Sequence, residues 1–250
     1  MIVALTNEST VATDAELDVI ARAVTHQVRY HFAPAWGQNA TVVSIPKGQM
    51  PPAADVLIHV KDTSDQPGAL GYHDDTTIPE AFVFAKTDLQ YGAKLSVTIS
   101  HEIVELLADP DCQKGEQDPN TGYWYALETG DPVEADSDGY TVTVKDAAGV
   151  SHDVTVSDFI LPAWYKHGSL GPYDHAHLLS KPFQVRPGGY VSIWRGTGTW
   201  TQYQAQMKGS AVATPKALDD ADRATETGAH GVQFDVVASK SPRQRVRGEL

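Results

Sequence analysis

The amino-acid sequence predicts an α+β fold: a mixed sheet with one central helix in the first 110 residues, then an irregular half that contains a hairpin. Two observations predict it. Before residue 110, short apolar segments and two longer segments of helical periodicity follow in the order strand, helix, strand, strand, strand, helix. After residue 110, Gly and Pro recur throughout and interrupt any long periodic segment. The 250 residues are enough to bury a substantial core.

The elements of the first half are predicted from apolar periodicity. A first helix begins after a cap at Thr13 or Asp14 and runs to about Phe32, because its apolar residues recur at helical spacing. A second helix covers about 94–108. We expect the strand nearest to it, 81–85, to lie at the edge of a cleft, where an extended substrate could pair with it. The predicted strands are 2–6, 41–45, 56–60 and 81–85.

The second half offers fewer regular patterns. Residues 111–124 predict a loop, and residues 158–195 predict irregular structure packed on the core. A hairpin is expected from 140–145 and 154–157. We therefore predict one domain at 1–195, in which residues 1–110 form an upper portion and residues 111–195 a lower portion. A partly flexible C-terminal extension, 196–250, would follow.

The extension is poor in large apolar residues. Residues 208–231 indicate a linker or weakly ordered tail, and we expect 208–250 to be dispensable for the core. The alternation at 232–236 is the exception and predicts a short strand, which could dock on the sheet or occupy the cleft as an inhibitory segment.

The most informative segment is the predicted helix that carries His101, Glu102 and Glu105. Residues i and i+4 lie on one helix face, so His101 and Glu105 can hold one metal ion. Glu102 lies beside that face, where its carboxylate could take a proton from water. This is the layout of the His-Glu-x-x-His zinc helix, with Glu105 in the place of the second His. Carboxylate oxygen is an accepted zinc ligand.

A second acidic cluster can complete the site. Glu128, Asp131 and Glu134 follow one another at a spacing of three around Gly130 and Pro132, which indicates a turn. Catalytic zinc sites use three protein ligands. We select Asp131 as the third ligand, because it lies between Gly130 and Pro132, with Glu128 and Glu134 as rivals. An acidic surface turn is the alternative.

Six motifs together resemble a known family: 69–74, 100–110, 128–134, 156–165, 173–175 and 187–190. Over about residues 1–195, the chain is similar to a metallopeptidase-like family of bacterial and phage proteins, and distantly to plant phosphate-induced, exordium-type proteins. The resemblance implies a zincin-like fold, a peptidase activity, and a site made of His101, Glu102, Glu105 and the turn 128–134.

Three further residues are candidates for catalysis. His73 lies between two predicted strands, where it could bind the metal or polarise a substrate carbonyl; the alternative is a His that is hydrogen-bonded in a turn. Tyr173 and His175 come late in the chain, and a late Tyr or His often stabilises the oxyanion in zinc peptidases.

Composition limits the classes of partner. A net charge of −13 argues against nucleic acid and anionic membrane surfaces as partners. The one cysteine, Cys112, rules out an intramolecular disulfide and a Cys-rich zinc site. The N-terminal segment lacks a secretion signal, and no apolar run is long enough to span a membrane. We expect a cytoplasmic protein, with a phage virion as the alternative.

These observations predict a metal-dependent peptidase that acts on a peptide or protein substrate. One divalent metal ion, with zinc favoured, would be held by His101, Glu105 and Asp131, and Glu102 would be the general base. The alternative is a non-enzymatic binding or structural protein whose metal ties the helix to the turn 128–134. A closed coordination sphere would favour that alternative.

Overall fold

The fold is α+β, as predicted, in a computed structural model that describes residues 1–65, 69–74, 78–228, 230–237 and 244–246. The helices are α1 (Asp14–Gln27), α2 (Ala33–Trp36), α3 (Ala85–Tyr91), α4 (Leu95–Ala108) and α5 (Pro215–Thr227). The strands of the first half are β1 (Ile2–Asn7), β2 (Thr41–Ile45), β3 (Val56–Lys61), β4 (Ala69–Asp74) and β5 (Glu80–Phe84). Those of the second half are β6 (Gly115–Gln117), β7 (Trp124–Ala126), β8 (Tyr140–Lys145), β9 (Ser151–Val156), β10 (Gln184–Val185), β11 (Tyr190–Trp194), β12 (Thr201–Ala205), β13 (Ala211–Val212), β14 (Phe234–Val237) and β15 (Gln244–Val246).

A six-stranded sheet organises the first half, with the strand order β15-β4-β5-β3-β1-β2. The strands β2, β1, β3 and β5 are parallel, whereas β4 is antiparallel to β5 and β15 is antiparallel to β4. The expectation that the strand at 81–85 forms the edge was wrong. The segment 69–74 is itself a strand and covers β5, so β5 lies inside the sheet.

Helix α1 begins as its sequence indicates. The Thr13 side chain accepts the N–H of Glu16, and the Glu16 side chain accepts the N–H of Thr13, which completes a capping box. A π-helical turn, Val28–Phe32, continues the helix to the predicted end. The apolar face of α1 is buried in the main core, which fixes the helix against the sheet.

Helix α4 is buried on nearly all sides. Every residue from Val97 to Ala108 is buried, and the helix packs against β4, β5 and β9. It ends at Ala108, because Asp109 precedes Pro110 and leaves the helical region with φ −135° and ψ 75°. This depth is what makes its three ionisable residues informative.

The second half holds more regular structure than predicted. A five-stranded sheet of order β14-β12-β11-β7-β6 continues past residue 195, and β8 and β9 form the predicted hairpin. The expected loop at 111–124 contains β6, which pairs with β7. None of the helices in the described ranges is long and apolar enough to cross a membrane.

The prediction of a linker at 208–231 was wrong. Helix α5 occupies most of this segment. Thr214 is its N-terminal cap, and Leu218 on the helix is buried. The strand expected at 232–236 is β14, which pairs with β12 rather than with the first sheet, and Phe234 is fully buried. Helix α5 and strand β14 therefore pack on the core of the second half through Leu218, Ala221 and Phe234.

Candidate metal centre

Helix α4 holds three ionisable side chains inside the core. His101, Glu102 and Glu105 are each at most 3% exposed. His101 Nε2 lies 3.2 Å from Glu105 Oε2, one helical turn away. The two atoms are close but lack the angles of a hydrogen bond, since His101 Nε2 has no hydrogen-bond partner within the described residues. The predicted pairing of i and i+4 is therefore present in the geometry.

The turn after β7 approaches the same helix. Glu105 Oε1 accepts the backbone N–H groups of Gly130 at 3.0 Å and Asp131 at 3.2 Å. These bonds fix the turn, and Asp131 Oδ1 lies 3.5 Å from His101 Nε2. Of the three rival acids, Asp131 thus lies next to His101. Glu128 lies on another side of the cluster, and Glu134 is the most exposed of the three at 8%.

His73 enters the cluster from β4, so the alternative of a His in a turn is wrong. Its Nδ1 lies 3.2 Å from Glu102 Oε2, within hydrogen-bond distance, and 3.9 Å from Glu105 Oε2. Its Nε2 lies 3.5 Å from Glu128 Oε2. His73 therefore links α4 to the residues after β7, and Glu105 lies near both imidazoles.

Two glycines make room for these side chains. A Cβ at Gly130 would overlap the His101 ring, and a Cβ at Gly71 would lie 2.5 Å from Glu102 Oε1. Real Cβ atoms do not approach other atoms so closely, so each glycine allows backbone to pass directly over a functional side chain. The motifs 69–74 and 128–134 each contribute one of these close passages.

Burial and crowding shift the pKa values of the acids in opposite directions. Burial alone would raise the pKa of Glu105, but the charge of His101 and hydrogen bonding lower it to about 2. Burial raises the pKa of Glu128 well above its usual value; the charge of His73 opposes this rise, and the neighbouring carboxylates add to it. Burial and then the charges of Glu105 and Glu128 likewise raise the pKa of Asp131. The carboxylates of the cluster therefore have too few positively charged partners.

His73 responds to the same shortage. Burial alone would lower its pKa, but the charge of Glu128 and hydrogen bonds with Cys112 and Glu102 raise it well above its usual value. The raised pKa values of Glu128, Asp131 and His73 all arise because negative charge is buried in the cluster, and a cation would relieve that charge.

The cluster contains buried polar atoms that have no hydrogen-bond partner in the described chain. They are His101 Nδ1 and Nε2, His73 Nε2, Glu102 Oε1, Glu128 Oε2 and Asp131 Oδ2. Leaving such atoms unsatisfied is costly, because each has lost its water. Nitrogen and carboxylate oxygen are zinc ligands, and two sets of three, His101-Glu105-Asp131 and His73-Glu105-Glu128, have ligand atoms within 4.8 Å of one another. The donors present therefore fit a divalent metal.

Sequence reasoning missed two neighbours of the cluster. Tyr190 is hydrogen-bonded to Asp131 and is 3% exposed, although its sequence context indicates only core or cleft wall. Cys112 helps to raise the pKa of His73, although a lone cysteine is more typical of apolar packing. The glycine at position 189, next to Tyr190, is the signal in the sequence that could have indicated this neighbour. A glycine is needed there because a Cβ would lie 2.9 Å from the carbonyl oxygen of Asp131.

The late candidates Tyr173 and His175 make their described contacts elsewhere. The Tyr173 hydroxyl donates to the carbonyl oxygen of Ser169 at 2.7 Å. The His175 ring stacks on His31 at 4.5 Å between centroids and on Phe159 at 5.3 Å. The structure does not bring these side chains to His101, because an isolated bridge between Ile160 and Asp174 fixes their segment against another region of the core.

The cluster is closed in this structure. Its six central side chains are each at most 3% exposed: His73, His101, Glu102, Glu105, Glu128 and Asp131. A cavity of about 10 Å³ lies beside Glu128, Asp131 and Tyr190. Such a volume is about that of one water molecule.

Comparison with protein-family models, with curated proteins and with solved structures finds no match for this chain. The resemblance to a zincin-like family therefore stays a prediction. The function has to be inferred from the chemistry of the cluster.

Proposed function

We propose that the protein is a metal-dependent hydrolase of peptide bonds, with a zincin-like arrangement of helix and edge strand. The observation that carries the proposal is the position of Glu102. One of its carboxylate oxygens is tied to His73, and the other, Oε1, has no hydrogen-bond partner in the described chain. It lies one residue from His101, where a general base would be needed.

His101, Glu105 and Asp131 would hold the metal. Ligand atoms about 2.0–2.2 Å from a tetrahedral zinc lie roughly 3.3–3.6 Å from one another. The distances of 3.2 Å from His101 Nε2 to Glu105 Oε2 and of 3.5 Å to Asp131 Oδ1 fit that spacing. One nitrogen and two oxygens make a relatively hard donor set, so manganese is an acceptable alternative to zinc.

The residues around the metal would move one proton. A divalent metal supplies Lewis acidity toward a carbonyl oxygen and lowers the pKa of water. Glu102 Oε1 accepts a proton from the attacking water, whose oxygen forms a bond to the carbonyl carbon. The C–N bond then breaks, and Glu102 returns the proton to the departing amine. His73 keeps the other oxygen of Glu102 in place throughout.

The edge of the first sheet would receive an extended substrate. An unpaired strand edge binds peptides by backbone pairing. Strand β15 pairs with β4 at this edge, with Arg245 opposite Gly71, the residue that passes over Glu102. A substrate would have to displace β15 to reach the general base.

The closure of the cluster favours a second candidate, a metal that only stabilises the fold. Structural sites surround their metal with protein ligands, whereas catalytic sites keep a position for water. The central side chains are at most 3% exposed, and the adjoining cavity of about 10 Å³ has room for about one water. A metal in this position would tie α4 to the turn 128–134.

Metal analysis combined with two substitutions tests both candidates. The purified protein should contain zinc or manganese, and His101→Ala should lose it; full occupancy in that variant would exclude the site. His59→Ala is the matched control, because His59 also lies beside two carboxylates, Glu8 and Glu80, yet belongs to another cluster.

Glu102→Gln then separates catalysis from stabilisation. It should retain metal and fold but lose cleavage of a broad peptide library. If wild type holds metal, melts on chelation and cleaves nothing, with or without residues 238–250, the stabilising role is supported and the peptidase proposal is wrong.

A further inference from the structure

We infer that the cluster is built for two metal ions, with Glu105 as the shared ligand and with His73 and Glu128 completing the second position. The inference rests on the proposed metal centre, because Glu105 belongs to both sets of ligands. It adds a site on the β4 side of α4.

Glu105 is placed to be shared. Its Oε1 is occupied by the N–H groups of Gly130 and Asp131, so Oε2 is the oxygen that faces the ligands. That Oε2 lies 3.2 Å from His101 Nε2, and it also lies beside the second imidazole, 3.9 Å from His73 Nδ1. One ligand atom from each of His73, Glu105 and Glu128 lies within 4.8 Å of the other two. Glu105 is therefore within reach of both metal positions, as a bridging ligand must be.

His73 is oriented as metal-binding histidines are. Such a histidine donates its other ring N–H to a carboxylate or carbonyl, which fixes the tautomer and leaves the ligating nitrogen unprotonated. His73 Nδ1 lies 3.2 Å from Glu102 Oε2, so it can donate there. Its Nε2 is fully buried, has no hydrogen-bond partner in the described chain, and lies 3.5 Å from Glu128 Oε2.

Glu128 meets His73 in the same manner as Asp131 meets His101. Glu128 Oε2 is buried and, within the described residues, accepts no hydrogen bond. The two pairs, His73 Nε2–Glu128 Oε2 and His101 Nε2–Asp131 Oδ1, are both separated by 3.5 Å without hydrogen-bond geometry. Each separation suits two atoms that face a common third atom rather than each other.

Charge also favours two ions. Glu102, Glu105, Glu128 and Asp131 carry four negative charges when ionised, all at most 3% exposed. One divalent ion with neutral histidines leaves two of these negative charges uncompensated in the core, whereas two ions compensate all four. Uncompensated buried charge is strongly unfavourable. Two-metal hydrolytic sites hold their ions about 3.5–4 Å apart, a separation that a shared oxygen can bridge.

Metal stoichiometry of the full-length protein tests the second site. The protein is stripped with chelator, reloaded with Zn²⁺ or Mn²⁺, desalted, and its metal content per chain is measured. Wild type should bind two ions, and both His73→Ala and the isosteric Glu128→Gln should bind one. His59→Ala should still bind two. Should His73→Ala fail to fold, Glu128→Gln and the wild-type stoichiometry decide.

Mn²⁺ adds a test of sharing. Two ions bridged by one oxygen are exchange-coupled, so the electron paramagnetic resonance spectrum of the reloaded wild type should show coupling that disappears in Glu128→Gln. Two ions without coupling would overturn the bridge. If both His73→Ala and Glu128→Gln still bound two ions, the second ion would lie elsewhere and the proposed second site would be wrong.

The outcomes also separate this inference from the proposed function. One ion in wild type, retained in His73→Ala and lost in His101→Ala, overturns the second site and leaves the first in place. No ion in wild type overturns both.

Discussion

Among the described residues, the candidate metal centre and the Asp158–Asp174 pair both bury acids, and they answer the same electrostatic problem differently. Asp158 and Asp174 are both fully buried, and the acids of the candidate metal centre are nearly so. Asp174 accepts the backbone N–H groups of Leu178 and Leu179, and Asp158 accepts that of Ala176. Burial and the neighbouring Asp174 carboxyl raise the pKa of Asp158 well above its usual value. Asp158 Oδ2 has no hydrogen-bond partner in the described chain, and a proton shared with Asp174 would satisfy it without any cation.

The candidate metal centre lacks that internal solution. Both nitrogens of His101 and one nitrogen of His73 have no hydrogen-bond partner in the described ranges. His101 Nε2 and His73 Nε2 each face a carboxylate oxygen. The comparison teaches that buried acids alone do not indicate a metal. Unsatisfied nitrogen and oxygen atoms that converge do, because a cation is the partner that both types of atom accept.

Replacing Glu105 should have the largest effect. Glu105→Ala removes the shared ligand and leaves the N–H groups of Gly130 and Asp131 without their acceptor. We expect complete loss of bound metal and a fall of about 3–5 kcal/mol in the free energy of unfolding, typical of breaking a buried charged network. Urea unfolding and metal analysis measure both.

Glu105→Gln is the matched variant. Its amide oxygen can still accept both N–H groups, so the stability should largely return while the metal stays absent. If Glu105→Ala retained its metal, the metal would not be bound at Glu105. The cluster would then be a group of buried acids without a metal, like the Asp158–Asp174 pair.

Zinc should stabilise the folded protein by binding at the candidate metal centre, and it should not act through the Asp158–Asp174 pair. A ligand at 100 times its dissociation constant adds about 2.7 kcal/mol. For a chain of this size that is an increase of roughly 5–10 °C in the melting temperature. Chelation should remove the increase in wild type, and Asp158→Asn should respond to zinc as wild type does. Equal melting with zinc and with chelator would contradict a metal centre.

The sequence predicts the half of the centre that is local. Helix α4 and its two inward residues follow from apolar periodicity, the i and i+4 spacing, and Asp109-Pro110, all of which act within one element. The partners across space do not follow. Whether Glu128 or Asp131 meets His101 depends on hydrogen bonds from the turn to Glu105, which no spacing encodes.

Two elements escape sequence-based prediction for identifiable physical reasons. Gly71 makes β4 resemble a turn, yet a glycine is needed there because Glu102 lies against the strand. Helix α5 resembles a linker because it buries little beyond Leu218 and Ala221. Thr214 followed by Pro215 is a usable helix-start signal.

The stability that the Asp158–Asp174 pair contributes should depend on pH, whereas the stability that a metal cluster contributes would depend on zinc. Burial and the neighbouring Asp174 raise the pKa of Asp158 well above its usual value. Between the usual pKa near 3.8 and the raised one, the folded state binds more protons than the unfolded state, so stability falls as pH rises.

Asp158→Asn mimics the protonated acid and removes that fall. Relative to wild type, it should be near neutral at pH 4 and more stable by about 1 kcal/mol at pH 7, the scale of one buried hydrogen bond. Asp174→Asn is the control of opposite sign, because both of its oxygens accept N–H groups and an amide would oppose one of them. Urea midpoints at both pH values decide; a destabilised Asp158→Asn at pH 7 would contradict the shared proton.

Removing β15 should have the smallest effect on stability and the most specific effect on function. A chain truncated after Val237 loses a strand of three residues that pairs only with β4 among the described strands. The melting temperature should change little, because edge backbone bonds exchange for bonds to water. Since Arg245 lies opposite Gly71, the truncation should open the approach to Glu102. Zinc should then leave to a chelator faster and peptide cleavage should increase, while the pH response of the Asp158–Asp174 pair stays unchanged. Unaltered zinc release and cleavage would mean that β15 does not close the centre, and the closed metal site would then be better explained by a stabilising role.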